Sequence, residues 1–279
     1  MFKSLRKKVG VIGYGNMGSA IAERIKRKYR VYVFEKDKNK MRNLSDMEIA
    51  DNVKDLVNKT DVVIIAVKPQ DSDPVLNEIR DCVKDNLVIS IAAGITTGYI
   101  EKVLGMVKVI RVMPNIGAIV GESISYICKG NYAKNNDLKL SVKLFDSIGH
   151  SFIFSEDLMN AATAVGGSGP GFWGYLFDKQ PFEEWNKYKS NYFIPELTSA
   201  AISVGFDKKI ARLTAGLVTV ASSATVNALH ITPTELAKKV ASEGGTTEAG
   251  LAVLEKGGTL TDAVKAALRR AGELSNKER

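Results

Sequence analysis

The stretch Val9-Gly10-Val11-Ile12-Gly13-Tyr14-Gly15-Asn16-Met17-Gly18 decides the fold. A short apolar run of strand length, Val9 to Ile12, passes directly into Gly-x-Gly-x-x-Gly, and Ser19 to Lys28 then has helical length and spacing. The glycine spacing alone is weak, but between a strand and a helix it meets the needs of dinucleotide binding. Gly13 makes a tight turn, Gly15 lets a pyrophosphate come close, Gly18 lets the helix pack on the strand, and the helix N-terminus offers unpaired N–H groups to an anion. Gly13, Tyr14, Gly15, Asn16, Met17 and Gly18 are therefore the expected phosphate-binding segment. The competing reading is that these glycines only turn strand into helix.

The same alternation continues outward. Val31–Phe34, Val62–Val67, Leu87–Ala92 and Val107–Met113 are Val- and Ile-rich runs of strand length, separated by helical stretches such as Asp73–Val83 and Thr96–Leu104. Ser123–Cys128 and Ser151–Phe154, flanking a helix over Asp137–Ile148, complete the set. Alternating strand and helix predicts a doubly wound, mostly parallel sheet of Rossmann type. From Glu156 onward the segments are helical: Pro195–Val204, Lys208–Leu229, Thr232–Ala241, Thr246–Leu254 and Thr261–Leu274. Thr232 and Glu235 have capping-box spacing, with Pro233 at the first helical position. The expected division is residues 1–155 for dinucleotide binding and 156–279 for a helical domain, with Asn276–Arg279 as a frayed tail.

Glu35 ends the second strand, 22 residues after Gly13, where an acid commonly accepts the hydroxyls of the adenosine ribose. That favours NAD, yet Lys36, Lys38 and Lys40 follow and suit a 2′-phosphate, so local chemistry leaves NADPH and NADH both open. Ala66-Val67-Lys68-Pro69, Ala92-Ala93-Gly94 and Met113-Pro114-Asn115 close further strands at their carboxyl ends, the edge where open sheets bind ligands. Ala66, Val67, Lys68, Pro69, Ala92, Ala93, Gly94 and Asn115 are accordingly expected cofactor neighbours. Asn115 serves equally well as a cap or turn residue. In the second half, Ser242-Glu243-Gly244-Gly245-Thr246-Thr247 presents backbone N–H groups and hydroxyls at a helix start, which suits a small carboxylate. A C-cap glycine followed by an N-cap threonine explains it equally.

The 279 residues carry 39 Lys and Arg against 31 Asp and Glu, a net charge of +8. The excess is local: residues 1–8 hold Lys3, Arg6, Lys7 and Lys8, and residues 26–42 hold eight cations against Glu35 and Asp37. Such clustering, without a nucleic-acid motif, argues for a small anionic ligand and against a nucleic-acid partner. Cys82 and Cys128 show no CxxC spacing, and His150 and His230 no ligand spacing, so no metal site is expected. Without a signal segment or an apolar run of spanning length, the chain reads as cytoplasmic, with no membrane partner.

Gly-Tyr-Gly-Asn-Met-Gly, Ala-Val-Lys-Pro, Arg111-Val-Met-Pro-Asn115, Gly-Ser-Gly-Pro170 and Ser242-x-Gly-Gly-Thr-Thr-x-Ala-Gly-Leu251, in this order, resemble pyrroline-5-carboxylate reductase. The last of these motifs carries most of the resemblance, which runs over nearly the whole chain. It implies reduction of the cyclic imine L-1-pyrroline-5-carboxylate to L-proline by NADPH or NADH, the last step of proline biosynthesis. It also implies that residues 156–279 bind substrate and self-associate as a dimer or larger ring. Carried over by motif, Thr247 bonds the imine nitrogen, and Ser242, Gly244, Gly245 and Thr246 help hold the substrate carboxylate. Two departures stand out. The family usually has Ser-Pro-Gly-Gly where this chain has Ser242-Glu243-Gly244-Gly245, and a serine where this chain has Gly166. Between Pro170 and Pro195 the chain also carries a longer aromatic and charged stretch than the family norm. A reductase of another cyclic imine, or a noncatalytic nucleotide-sensing protein on the same fold, are the alternatives.

Overall fold

The structure, a computed structural model, describes residues 6–42 and 44–277. Lys3 of the basic N-terminal segment and Glu278 and Arg279 of the expected tail lie outside the described residues. Eight strands form one sheet: β1 Lys8–Ile12, β2 Arg30–Phe34, β3 Glu48–Ile49, β4 Val62–Ile65, β5 Leu87–Ser90, β6 Lys108–Met113, β7 Ser123–Lys129 and β8 Gly149–Ile153, in the order β3-β2-β1-β4-β5-β6-β7-β8. From β3 to β6 every neighbouring pair is parallel, with Val9 opposite both Val31 and Val62. All four residues of β4 and of β5 are buried, as strands covered on both faces require. The doubly wound fold expected from sequence is present, with the short edge strand β3 as an addition.

The helices of the sheet region are α1 Asn16–Ile25, α2 Val53–Lys59, α3 Ser72–Ile79, α4 Thr97–Leu104 and α5 Asn135–Phe145. Two of them begin at a side chain that accepts from the first N–H groups: Asn52 caps α2 through Asp55 and Thr96 caps α4 through Tyr99. Chain order reverses between β1 and β4, because β2 lies on one side of β1 and β4 on the other. Such a reversal opens a crevice at the carboxyl ends of the two strands.

The remaining helices are α6 Met159–Ala162, α7 Gly169–Phe177, α8 Trp185–Tyr188, α9 Ile194–Ser203, α10 Lys208–Leu229, α11 Pro233–Val240, α12 Thr246–Glu255 and α13 Leu260–Lys277. The capping box of α11 forms as its sequence predicts: Glu235 N–H donates to Thr232 Oγ1 at 3.2 Å and Thr232 N–H to Glu235 Oε2 at 2.7 Å. α13 continues through Asn276 and Lys277, two residues into the expected tail. The longer stretch before Pro195 folds back on α7, where Phe177 meets the rings of Trp185, Tyr188 and Phe193 within 5.7 Å. No helix among the described residues is long and apolar enough to cross a membrane.

The chain forms two compact units: residues 1–112 with 127–148, and residues 113–126 with 149–279. The sequence suggests a single cut near residue 155, whereas the chain crosses between units three times. One reason lies in the second unit, where Gly117, in the turn after Asn115, lies so close to α10 that a Cβ there would stand 2.9 Å from the Ala221 methyl.

Candidate functional site

Each unit carries a candidate feature of its own. In the first, β1 ends in Gly13, whose φ of +96° is open to glycine and strained for other residues. A Cβ on Gly13 would stand 2.7 Å from Ala66 O, and one on Gly18 would stand 2.0 Å from Gly13 O, so both glycines are required by close packing across the crevice. Gly15 is different. It caps α1 with φ −79°, no side chain bonds the helix start, the first turn holds no acid, and a Cβ there would meet nothing within 4 Å. The open space in front of the helix N-terminus is what a pyrophosphate needs, so the residues present fit a dinucleotide.

Around that helix start lies a cleft of about 360 Å³ whose wall includes Gly13, Gly15, Glu35, Lys36, Lys40 and Lys68. Glu35 accepts from Tyr14 N–H at 2.8 Å and from Asp37 N–H at 3.1 Å, and Lys40 Nζ stands 3.9 Å away. Its carboxylate therefore organises the loop after β2 and keeps lone pairs for a ribose hydroxyl. Lys36 and Lys40 bring two cations to the same wall, while Lys38 is exposed and outside it. Tyr14 turns its ring away to donate to Glu23 Oε1 at 2.9 Å, and burial, then Glu23, push its hydroxyl pKa upward. Ala66 and Val67 line the cleft, and Pro69 opens the 3-10 turn that follows. Asn16 and Met17 form the first turn of α1; Ala92, Ala93 and Gly94 follow β5 outside the cleft wall.

In the second unit Asn115 is buried and committed to its neighbours. Its Nδ2 donates to Gly166 O at 3.1 Å and its Oδ1 accepts from Gly117 N–H at 3.2 Å and Ile124 N–H at 3.1 Å. This is the capping reading of Asn115. Gly166 packs against the buried Tyr126, so closely that a Cβ would stand 2.3 Å from Cε2 of the ring. Tyr126 Oη and Thr214 Oγ1 are hydrogen bonded at 3.1 Å, which holds the ring in place. The tyrosine ring occupies the space a serine side chain at Gly166 would need.

Two sequence motifs 78 residues apart meet in this unit. Ser168, fully buried at the start of α7, is 3.0 Å from Thr246 Oγ1 at the start of α12. Thr247 is 5% exposed, with its Cγ2 methyl against Gly171, where a Cβ would stand at 2.5 Å. Thr246 and Thr247 keep the backbone N–H groups that helix geometry leaves without an intrahelical acceptor. The preceding residues differ from expectation: Gly244 N–H donates to Glu248 Oε2 at 2.7 Å and Gly245 N–H to Ser242 O at 2.9 Å. Those two donors hold the chain itself. Ser168, Glu248 and Arg270, whose Nε donates to Gly244 O at 2.7 Å, escape the sequence reading. Ser168 lies within a motif, and Glu248 sits three residues after the N-cap, a recognisable spacing; Arg270 gives no local signal. Among the described residues no group of three His, Cys, Asp or Glu side chains is placed to hold a metal.

A phosphate-ready helix start on a doubly wound sheet, in one chain with a helical unit in which Ser168 meets the threonines of a helix N-terminus, defines a nicotinamide-dinucleotide oxidoreductase. Residues 8–94 match the family described as NADP oxidoreductase, coenzyme F420-dependent, and residues 190–274 match the pyrroline-5-carboxylate reductase dimerisation family. The chain is 34% identical to pyrroline-5-carboxylate reductase of Aquifex aeolicus over 97% of its own length and 98% of that protein, and 31% identical to that of Methanosarcina acetivorans over 97% and 99%. The chain belongs to the pyrroline-5-carboxylate reductase family. A solved structure of Plasmodium falciparum pyrroline carboxylate reductase with NADP bound is similar at a TM-score of 0.64 and 26% identity, covering 97% of this chain and 99% of that one.

Proposed function

We propose that this protein reduces L-1-pyrroline-5-carboxylate to L-proline with NADPH or NADH. The meeting of Ser168 with Thr246 at 3.0 Å carries the reading, because it brings hydroxyls of two distant motifs together at the N–H groups of a helix start. A protonated cyclic imine is already electrophilic and requires no covalent nucleophile or metal, only binding and alignment. The N–H groups of Thr246 and Thr247 and the α12 dipole hold the carboxylate. The Thr247 hydroxyl bonds the ring nitrogen, which takes up the C=N electron pair as the imine carbon becomes CH₂. When bound, the nicotinamide supplies the hydride. Gly13 to Gly18 hold its pyrophosphate, Glu35, Lys36 and Lys40 the adenosine ribose, and Lys68 lies on the same cleft wall.

Self-association as a dimer or larger ring is part of the reading. It is supported by the dimerisation family match over residues 190–274 and by Leu213 and Val220, large apolar residues left about half exposed on α10. Two of the clustered cations, Lys36 and Lys40, line the cofactor cleft, and no nucleic-acid partner is invoked. A second reading, a different cyclic imino acid as substrate, is favoured by one observation: Glu243 is an exposed anion on the turn before the carboxylate donors.

Loss of NADPH and of NADH absorbance is to be followed with pyrroline-5-carboxylate, pyrroline-2-carboxylate and piperideine-carboxylate. Preference for the first supports the proposal, preference for another moves it to the second reading, and reduction of none refutes both. Thr247→Ala is expected to lower turnover at least about tenfold, the worth of one charge-assisted hydrogen bond, with NADPH affinity retained.

A further inference from the structure

We propose that Arg270 and Glu248 are positioning residues for the imino acid pocket, clamping Gly244 from two sides and thereby fixing the start of α12. The inference rests on Thr246 and Thr247 being the substrate donors.

Ser242-Glu243-Gly244-Gly245 is a β-turn closed by Gly245 N–H donating to Ser242 O at 2.9 Å. Gly244 has φ +65°, and Glu243 is not among the residues with positive φ, which makes the turn type II. Such a turn wants glycine third and is stiffened by proline second. The family's Ser-Pro-Gly-Gly follows that rule, whereas Glu243 leaves its own φ unfixed in a segment that is exposed from Ser242 to Gly244. Nothing within the turn then holds Gly244, a residue with the widest backbone freedom.

The hold comes from outside the turn. Gly244 N–H donates to Glu248 Oε2 at 2.7 Å, and Gly244 O accepts from Arg270 Nε at 2.7 Å. Arg270 is itself oriented by an ion pair to Glu273 at 2.7 Å. Both polar groups of one peptide residue are thus taken by side chains of α12 and α13. The next residue, Gly245, is the N-cap of α12, so rotation at Gly244 would swing the first N–H groups of the helix. The clamp supplies by tertiary contact the stiffness that a proline supplies by covalent geometry.

Steady-state kinetics of the whole protein with pyrroline-5-carboxylate and NADPH test this. Arg270→Met is expected to raise KM for the imino acid about tenfold, as loss of one charge-assisted bond would, with KM for NADPH within about twofold. Glu243→Pro added to Arg270→Met restores the substrate KM to within about threefold of the parent, because the ring fixes φ at the second turn position. Glu248→Ala is the independent variant should Arg270→Met fold poorly; it raises the same KM, and Glu248→Gln, which keeps an acceptor, does not. An unchanged substrate KM in both Arg270→Met and Glu248→Ala, or no rescue by Glu243→Pro, overturns the clamp. Thr247→Ala separates the two failures. If it lowers turnover while the clamp variants leave KM unmoved, only the clamp fails; if it has no effect, the pocket assignment falls and the clamp with it.

Discussion

Gly15→Ala separates what the fold requires from what the cofactor requires. With φ −79° and no atom within 4 Å of the added Cβ, alanine fits Gly15 without displacing protein. Less unfolded-state freedom favours the variant by ~0.4–1 kcal/mol, and the weaker N-cap opposes it by a similar amount. Stability should therefore stay within about 1 kcal/mol, or roughly 2–4 °C in Tm for a chain of this size. The added methyl occupies the space in which a pyrophosphate approaches the helix N–H groups. Losing one charge-assisted hydrogen bond costs ~1.5–3 kcal/mol, so the Kd for NADPH should rise about 10- to 150-fold. Gly18→Ala is the contrast: its Cβ would stand 2.0 Å from a backbone oxygen, an overpacking that costs at least ~1–3 kcal/mol and lowers Tm by several degrees. Calorimetric titration with NADPH and a thermal melt of each variant read both quantities. Near-native NADPH affinity in a folded Gly15→Ala, or a Tm loss there matching that of Gly18→Ala, would refute the reasoning.

Lys36→Ala with Lys40→Ala should raise KM for NADPH at least about tenfold more than KM for NADH if the two cations on the cleft wall hold the 2′-phosphate as proposed; equal effects would return both lysines to the solvated surface. Gly166→Ser, which restores the family residue, should lose ~1–3 kcal/mol in urea unfolding because the Tyr126 ring cannot yield without releasing Thr214. A change below about 0.5 kcal/mol would mean that the ring repacks freely. Glu235 is held below its ordinary carboxylate value by the Thr232 backbone and hydroxyl bonds. A depressed carboxylate contributes stability above its unfolded pKa and loses it as pH falls through the folded value, so Glu235→Gln should lower stability near neutrality, leave it nearly unchanged at low pH, and thereby flatten the acid limb of a stability-pH curve. An acid limb identical to the parent's would remove Glu235 from the titrating set.

Legibility followed physics in both units. Val62–Val67 and Leu87–Ala92 read as strands to their ends, yet pairing stops at Ile65 and Ser90. Apolarity marks what is shielded from water and does not distinguish a paired residue from one such as Val67 that lines a cleft. α7 is not among the helices expected from sequence, since Gly169, Pro170, Gly171 and Gly174 give it poor helix propensity. It is helical because those small residues let neighbouring side chains such as Val218, Val240 and Thr247 press against its backbone, and that packing outweighs poor propensity. α10, by contrast, begins and ends at Lys208 and Leu229 as its periodicity predicts.

By itself the sequence determined the doubly wound sheet, the phosphate-binding turn, the helical second half and the reductase family, all of which rest on local spacing and chain-order motifs. Tertiary structure alone decided which donors are free. Gly244 and Gly245 are expected carboxylate ligands, and the fold bonds their N–H groups to Glu248 and Ser242; Asn115, which the sequence leaves between cofactor neighbour and cap, has its amide bonded inside the protein. It also brought Ser168 to Thr246 and Arg270 to Gly244. A motif fixes the type and spacing of polar groups along the chain, whereas whether each group is satisfied depends on partners tens of residues away that only folding brings within 3 Å.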